Sequence, residues 1–234
     1  MSGAIPAAIS SCKDLMVFSA NTAKLSSSIP SAMGELVNMV SFDVGSNALT
    51  GAIPQAVWNG WTSMEELDMS KNSFSMQRGL HPGIGNWASC KKFKMSEAGI
   101  GGTIPAEIGG MSSLEELDLN TNEISGELPG EIGDLTELKE LILFGNIMNG
   151  TLATEIGQLT GLEILLLNNN AFDGAIPSEL GKLADADLIQ LDMNKFCELT
   201  FHYLLRCVCT LSGTHYAFFL YKPQLERYHQ ALGH

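Results

Sequence analysis

The chain has 234 residues, of which 45% are hydrophobic, and a formal net charge of −13. This length and hydrophobic share allow a packed core of one or two domains, so the chain is not a disordered acidic tail. The acidity disfavours nucleic acid and anionic lipid as partners, because Lys and Arg side chains are what bind phosphate groups.

The N-terminal segment MSGAIPAAIS contains no basic stretch followed by an apolar run. We therefore expect no signal peptide in this chain, and the sequence assigns no compartment. The most apolar later window, 199–221, carries His202, Arg206 and His215, which makes it a poor membrane span. No membrane span is predicted in this chain.

A motif of the form Gly/Ser-x-Ile-Pro recurs from the N-terminus onward. Its copies are GAIP at 3–6, SSIP at 27–30, GAIP at 51–54, GTIP at 102–105, GELP at 126–129, GTLA at 150–153 and GAIP at 174–177. Successive copies are 24 residues apart, except that the gap from Pro54 to Pro105 is 51 residues. That gap holds two repeats with a small insertion, and LHPGIGN at 80–86 is the degenerate copy.

A second pattern, L-x-x-L-x-L-x-x-N-x-L, precedes each motif from the second copy on. Clear copies begin at Met39, Met64, Leu114, Leu138 and Leu162, and weaker copies begin at Leu15, Cys90 and Leu188. Apolar residues at this spacing predict a short strand with one buried face, and the Asn amide suits a tight turn. One unit cannot close a core alone, so stacked units must share one, with their strands pairing in parallel.

The combined repeat resembles the leucine-rich repeat superfamily, in particular the plant-type subclass found in receptor-like kinase ectodomains and polygalacturonase-inhibiting proteins. The resemblance covers 1–196 with about eight repeats of 24 residues. It implies an α/β solenoid, a horseshoe with a parallel β-sheet on the concave face and 3₁₀ or irregular segments on the convex side. It also implies an extracellular or cell-surface location and a protein, peptide or glycan bound on the concave or lateral surface.

Three departures from the subclass are visible. Met1 falls inside a repeat, and neither the N-terminal nor the C-terminal cysteine-bearing cap is found. The turn asparagine that recurs in the other repeats is replaced by Ala23, Ala98 and Phe196. We therefore expect weaker turns at both ends and in the fourth repeat.

Residues 197–234 carry no repeat, and their composition changes from acidic to slightly basic. We interpret them as an irregular cap over the last apolar face; a poorly ordered extension and an unrelated joined segment are the alternatives. The segment PQLERYHQALGH predicts a short helix that begins at Pro223 and ends before Gly233.

The cysteines do not form a disulfide framework. Cys12 and Cys90 occupy apolar repeat positions and are predicted to be buried thiols. Cys207 and Cys209 form a C-x-C near His202, but no second ligand pair accompanies them. We therefore predict neither a metal nor a cofactor.

Alternation along a strand sends positions one, four and six of the pattern into the core and positions three, five and seven outward. Position three runs Val17, Ser41, Glu66, Lys92, Glu116, Glu140, Ile164 and Gln190. Position five runs Ser19, Asp43, Asp68, Lys94, Asp118, Ile142, Leu166 and Asp192. Position seven runs Asn21, Gly45, Ser70, Ser96, Asn120, Phe144, Asn168 and Asn194.

The outward columns contain a charge ladder, in which lysines of the fourth repeat lie between carboxylates of its neighbours. Its members are Glu66, Lys92 and Glu116 in one column and Asp68, Lys94 and Asp118 in the next. One interpretation is a solvated lattice of ion pairs that fixes the register. The other is a polar recognition surface for a basic or hydroxyl-rich ligand.

The same columns contain an apolar patch, defined by Ile142, Phe144, Ile164 and Leu166 of the sixth and seventh repeats. Contiguous outward-facing apolar surface marks an interaction site. The competing interpretations are that the C-terminal tail packs over the patch, or that the register is different.

No catalytic constellation stands out from the repeats. The carboxylates recur because the repeat exposes those positions, and no Ser-His-Asp arrangement, phosphate loop or zinc spacing is present. The sequence therefore predicts a non-enzymatic module that binds a protein or peptide on its concave face, as in receptor-like or inhibitor-like proteins. The alternative is a structural or scaffold repeat protein whose sheet serves assembly.

Overall fold

The structure is a computed structural model that describes residues 3–196 and the short strand 219–221. Its strands, in chain order, are β1 (Val17–Ser19), β2 (Ser26–Ser27), β3 (Ser41–Asp43), β4 (Ala48–Gly51), β5 (Glu66–Asp68), β6 (Ser73–Phe74), β7 (Lys92–Lys94), β8 (Gly101–Gly102), β9 (Glu116–Asp118), β10 (Glu123–Gly126), β11 (Glu140–Ile142), β12 (Ile147–Gly150), β13 (Ile164–Leu166), β14 (Ala171–Gly174), β15 (Leu188–Gln190), β16 (Lys195–Phe196) and β17 (Phe219–Tyr221).

Short helices form the side of each repeat opposite the concave strand. Those of 3₁₀ type span Ala7–Ser11, Ser31–Glu35, Pro82–Asn86, Ala106–Gly110, Gly130–Asp134, Thr154–Gln158 and Ser178–Lys182, and the α-helix α1 spans Gln55–Gly60. The motif proline is the residue before most of these helices; Pro30, for example, has φ −65° and ψ 138°. Proline cannot extend a strand ladder, so the chain leaves the second strand there and turns into a helix.

The odd-numbered strands form one nine-stranded concave sheet, which is parallel from β1 to β15. The antiparallel strand β17 pairs with β15 at its last edge. A second ladder is split into β2-β4-β6 and β8-β10-β12-β14-β16. The split lies where the sequence places the insertion, and the predicted α/β solenoid with a parallel concave sheet is confirmed.

One continuous core runs through the stacked repeats, as the pattern predicts. Leu114, Leu117 and Leu119, at positions one, four and six of the fifth repeat, are all fully buried. Near the insertion the core contains three buried tryptophans: Trp58, Trp61 and Trp87. The burial of whole repeat faces against their neighbours is the main source of stability in such a fold.

The turn asparagines join each repeat to the one before it. Nδ2 of Asn122 donates to the carbonyls of Met95 at 2.8 Å and Leu119 at 2.9 Å, and Oδ1 accepts from the N–H of Ile100 at 3.1 Å. Ala98, which occupies this position in the fourth repeat, cannot make such bonds, and its own N–H donates to Oδ1 of Asn122 at 3.0 Å. The asparagines thus satisfy backbone groups that the turns leave unpaired.

The predicted register of the eighth repeat was wrong by two residues. Leu188 pairs with Ile164 and Gln190 with Leu166, so Leu188 is at position three rather than position one. The turn asparagine is Asn194, which donates to the carbonyls of Leu167 and Leu191, and Phe196 does not replace it. A shift of two keeps every side chain on its predicted face, so alternation could not decide between the two registers.

Only one of the two cysteines predicted to be buried is buried. Cys90 is buried, as predicted, but Cys12 is exposed and its prediction was wrong. Leu36 occupies the equivalent position of the second repeat and is fully buried, because the first repeat covers it. Cys12 lies in the first repeat, where no described residue packs on the outer side. The C-x-C of Cys207 and Cys209, with His202, and the helix predicted from Pro223 lie outside the described residues.

Candidate functional site

The concave strands bring the predicted charge ladder together in register. Glu66, Lys92 and Glu116 are consecutive partners on β5, β7 and β9. Two residues further along the same strands, Asp68, Lys94 and Asp118 are also consecutive partners. Two columns of alternating charge therefore lie side by side, as the repeat spacing predicted.

The ion pairs within this ladder are unequal. Nζ of Lys94 lies 2.6 Å from Oε1 of Glu116, and both side chains are at least two-thirds buried. Nζ of Lys92 lies 3.6 Å from Oε1 of Glu66, and both of these side chains are about half exposed. Solvent screens an exposed pair, so the Lys94–Glu116 pair is the stronger contact.

The environment of Lys94 is dominated by carboxylates. Partial burial by itself lowers the pKa of its ammonium group, but the hydrogen bond to Glu116 and the charges of Glu116, Asp68 and Asp118 raise the pKa above its ordinary value. Lys94 is therefore held in its charged form. It neutralises only part of the negative charge around it.

Beyond Lys94 the concave face becomes an acidic cluster, defined by Glu116, Asp118 and Glu140. Burial raises the pKa of Asp118, although hydrogen bonds from the backbone and side chain of Asn120 act against this shift. Burial, followed by the charge of Glu116, raises the pKa of Glu140. Carboxylates crowded in this way are stabilised by an incoming cation.

A further column of alternating charge lies at position two, just before the concave strands, and was not predicted from the sequence. Nζ of Lys91 lies 2.9 Å from Oε2 of Glu65, and Nζ of Lys139 lies 2.8 Å from Oε2 of Glu115. The signal was present in the repeat, since these residues recur at the same pattern position. The pairs lie along the rim of the concave face and are largely solvated.

The apolar patch adjoins the acidic cluster. Ile142, Phe144, Ile164 and Leu166 are half-buried and face outward, while Leu141 between them is fully buried. Ile142 pairs with Leu166 across β11 and β13. The corrected register adds the half-buried Leu188, which lies beside Ile164. A continuous apolar surface thus crosses the sixth to eighth repeats.

Two polar atoms beside the patch were missed from the sequence. Oδ1 of Asn168 and Oδ1 of Asp192 are buried and have no hydrogen-bond partner among the described residues. Both residues are at position seven, in line with Phe144, once the eighth repeat is correctly placed. Each of these oxygens is, among the described residues, an unpaired hydrogen-bond acceptor at this end of the face.

The N-terminal part of the concave face contains a small open cavity of about 210 Å³. Its lining combines the charge ladder with the strand that precedes it: Ser41, Phe42, Asp43, Glu66, Leu67, Asp68, Lys92 and Lys94. It brings together four of the ten residues predicted as a binding site, and the acidic cluster and apolar patch hold the others in the following repeats. Five of these eight lining residues are charged.

Between residues 3 and 196 no group of three or more His, Cys, Asp or Glu side chains is placed to hold a metal ion. No helix in the same part of the chain is long and apolar enough to cross a membrane.

The repeats match a known family directly. The family model described as Leucine Rich Repeat matches residues 113–135 and 161–183. The chain also superimposes on the ectodomain of the Arabidopsis receptor kinase HAESA, with 29% identity and a TM-score of 0.80 over 90% of this chain and 34% of that one. The chain is built of leucine-rich repeats similar to those of plant receptor ectodomains.

Two further solved structures of receptors are similar to this chain. A TDR receptor matches with 26% identity and a TM-score of 0.77 over 83% of this chain and 33% of that one. The ectodomain of GASSHO1/SCHENGEN3 from Arabidopsis thaliana matches with 30% identity and a TM-score of 0.69 over 83% of this chain and 26% of that one. No curated protein matches the chain. The chain spans between about a quarter and a third of the length of these three structures.

Proposed function

We propose that the chain is a non-catalytic module that binds a protein or peptide on its concave face. The observation that carries the proposal is the junction between the acidic cluster and the apolar patch. Asp118 is the direct neighbour of Ile142, and Glu140 is the direct neighbour of Ile164. A peptide with a basic side chain beside apolar ones would pair with the crowded carboxylates and cover the apolar surface in one step.

The solved structures support a peptide as the ligand class. The HAESA ectodomain was determined with a peptide hormone ligand, and that of GASSHO1/SCHENGEN3 with CASPARIAN STRIP INTEGRITY FACTOR 2. By this likeness we propose a receptor-like or inhibitor-like protein that acts at the cell surface or outside the cell. A glycan is the second ligand class, and the acidic face disfavours nucleic acid.

We also propose that 1–196 is the repeat domain and that 197–234 caps it. The supporting observation is β17, whose residues 219–221 pair antiparallel with 188–190 of β15. A paired strand at this position covers the N–H and C=O groups of the last concave strand, which would otherwise form an open sheet edge.

The binding proposal is tested by selecting short random peptides, displayed on phage, against the immobilised chain. We expect selected peptides to carry Lys or Arg beside Leu, Ile or Phe. The double variant Ile142→Asp with Phe144→Asp should lose these peptides, and Asp118→Asn with Glu140→Gln should lose the preference for basic residues. Ile147→Asp is the matched control, because Ile147 is 58% exposed in the same repeat but lies on β12, outside the concave sheet.

Two outcomes would contradict the proposal. Peptides retained in full by the Ile142→Asp, Phe144→Asp variant would place binding elsewhere. A large fall in melting temperature for that variant, compared with Ile147→Asp, would mean that the patch is covered by the chain itself rather than offered to a ligand.

A structural role is the second candidate, and one observation favours it. Strand β1 has β3 as its only neighbour among the described strands, and Met16 and Val17 beside its free edge are 54% and 58% exposed. An open edge with exposed apolar residues favours edge-to-edge assembly. Concentration-dependent oligomers in analytical ultracentrifugation, abolished by Val17→Lys and accompanied by no selectable peptide, would establish this role instead.

A further inference from the structure

A second cavity, of about 500 Å³, opens on a different surface of the solenoid. It lies beside helix α1 and the second ladder, and none of its lining residues belongs to a concave strand. The lining residues are Ala52, Ile53, Trp58, Ser75, Met76, Gln77, Arg78, Gly79, Leu80, His81 and Pro82. Its volume falls in the range of small-molecule sites in proteins.

The insertion in the repeat pattern contributes much of the wall of this cavity. It follows β6, and along segment 75–80 the second ladder is reduced to two isolated bridges, Met76 with Ile100 and Gly79 with Thr103. Backbone bonds hold the segment: the N–H of Gly101 donates to the carbonyl of Met76 at 2.8 Å, and the N–H of Leu80 donates to that of Thr103 at 3.2 Å. The cavity is therefore part of the folded framework.

Gly79, near the end of segment 75–80, packs closely against the backbone of the next repeat. Gly79 has φ +87°, and a Cβ atom placed on it would lie 2.1 Å from the carbonyl oxygen of Thr103. Only glycine permits this close approach of the two backbones. The wall of the cavity is thus set by a backbone contact between adjacent repeats.

Three hydrogen-bond donors of the lining have no acceptor among residues 3–196. Nδ1 of His81 accepts from the N–H of Gly83 at 2.9 Å, so in the neutral ring Nε2 carries the proton, and it donates to none of these residues. The indole N–H of Trp58 is also unpaired there, whereas those of Trp61 and Trp87 donate to backbone carbonyls. Arg78 makes no ion pair in the same part of the chain.

The charge of Arg78 is unusual for its surroundings. It is the only arginine among residues 1–196, which carry a large excess of carboxylates, yet the cavity lining contains no Asp or Glu. The imidazole of His81 lies parallel to the indole of Trp58, with ring planes at 8° and centroids 6.4 Å apart. Stacking on a buried indole restricts the orientation of the imidazole, so the ring of His81 is held at the wall of the cavity.

We propose that this cavity binds a small apolar carboxylate. The carboxylate accepts hydrogen bonds from Arg78 and His81, and the hydrocarbon part contacts Ile53, Met76 and Leu80. One guanidinium and neutral N–H donors match a single negative charge, and the apolar walls match a ligand that is otherwise hydrophobic. This site is separate from the concave face and does not depend on the peptide proposed there.

Calorimetric titration of the full chain with naphthoate and octanoate tests the proposal, and naphthamide serves as the uncharged match of naphthoate. We expect saturable binding of at least one carboxylate below about 10 mM, and no saturation by naphthamide. Arg78→Gln should weaken carboxylate binding by about tenfold or more, because a charge-assisted hydrogen bond is lost. Lys182→Gln is the control, since it removes one exposed cation from a remote repeat.

A second variant removes one hydrogen-bond donor of the cavity without removing an aromatic ring from the core. Trp58→Phe keeps an aromatic ring in the core but removes the indole N–H, and it should weaken naphthoate by a few-fold at most. Arg78 is exposed, so Arg78→Gln should keep the wild-type melting temperature. Absence of saturation by both carboxylates, equal binding of naphthamide, or equal affinities of Arg78→Gln and Lys182→Gln would each overturn the proposal.

Discussion

Lys94 on β7 forms its ion pair diagonally, with Oε1 of Glu116 at 2.6 Å, although Asp118 is its direct neighbour across the strands. The longer Glu116 side chain reaches the ammonium group, while Asp118 accepts hydrogen bonds from the backbone and side chain of Asn120. The carboxylate of Asp118 therefore makes no ion pair of its own among the described residues, and it stays part of the acidic cluster that adjoins the apolar patch.

We expect Lys94→Gln to cost more stability than Lys92→Gln. The Lys94–Glu116 pair is the more buried and the shorter, so its loss should lower the free energy of unfolding by about 1 kcal/mol, against about zero for Lys92→Gln. Urea denaturation of the two variants at low and high salt provides the measurement. Equal losses in the free energy of unfolding for both variants would contradict a stronger contribution from the more buried pair.

Glu140→Gln should stabilise the chain at neutral pH. Burial and the charge of Glu116 raise the folded-state pKa of Glu140, so its contribution to stability is present at acidic pH and is lost as the pH rises through that pKa. Gln cannot ionise, so the gain of the variant over wild type should shrink towards zero below about pH 4.

The measurement is the free energy of unfolding of both proteins as a function of pH. Glu131→Gln is the control, because Glu131 is exposed in a convex 3₁₀ helix. A gain for Glu140→Gln that grows on acidification would contradict the sign of this prediction.

Asn122→Ala should cost more than Asn170→Ala. Both amides donate to carbonyls of their own and the preceding repeat, but Oδ1 of Asn122 accepts from the N–H groups of both Ala98 and Ile100. Oδ1 of Asn170 accepts from the N–H of Met148. We expect a loss of about 2–4 kcal/mol for Asn122→Ala and a smaller loss for Asn170→Ala in urea unfolding. The reverse order would mean that the missing asparagine of the fourth repeat is not compensated by Asn122.

Native labelling with a thiol reagent should separate Cys12 from Cys90. Cys12 is exposed, whereas burial raises the pKa of the Cys90 thiol to about 12 and removes it from solvent. Mass spectrometry of the labelled peptides should show Cys12 modified in the native protein and Cys90 modified only after addition of urea. Native modification of Cys90 would indicate that the fourth repeat opens locally.

Much of the candidate site followed from the repeat itself. A period of 24 residues places equivalent side chains on adjacent strands, so the column of Glu66, Lys92 and Glu116 could be predicted from the sequence. In the structure these three residues are direct partners on β5, β7 and β9. Ile142 and Leu166 were likewise predicted to be outward-facing neighbours, and they are. Whether these residues bind a ligand stays a prediction.

The misplaced residues share a physical cause. Leu188 was assigned to the wrong position because a two-residue slip preserves the inward and outward faces, and only the hydrogen bonds of Asn194 distinguish the registers. Cys12 has the same pattern position as the buried Leu36, but burial depends on which repeat packs on its outer side.

By itself, the sequence determined the solenoid, its concave sheet and the order of side chains on that sheet, because strand alternation and a regular period are local properties of the chain. The tertiary structure alone decided the Lys94–Glu116 contact, the raised pKa values of Asp118 and Glu140, and the cavity around Arg78 and His81. These features depend on side-chain reach, burial and the path of an irregular segment, which arise only when separate repeats pack together.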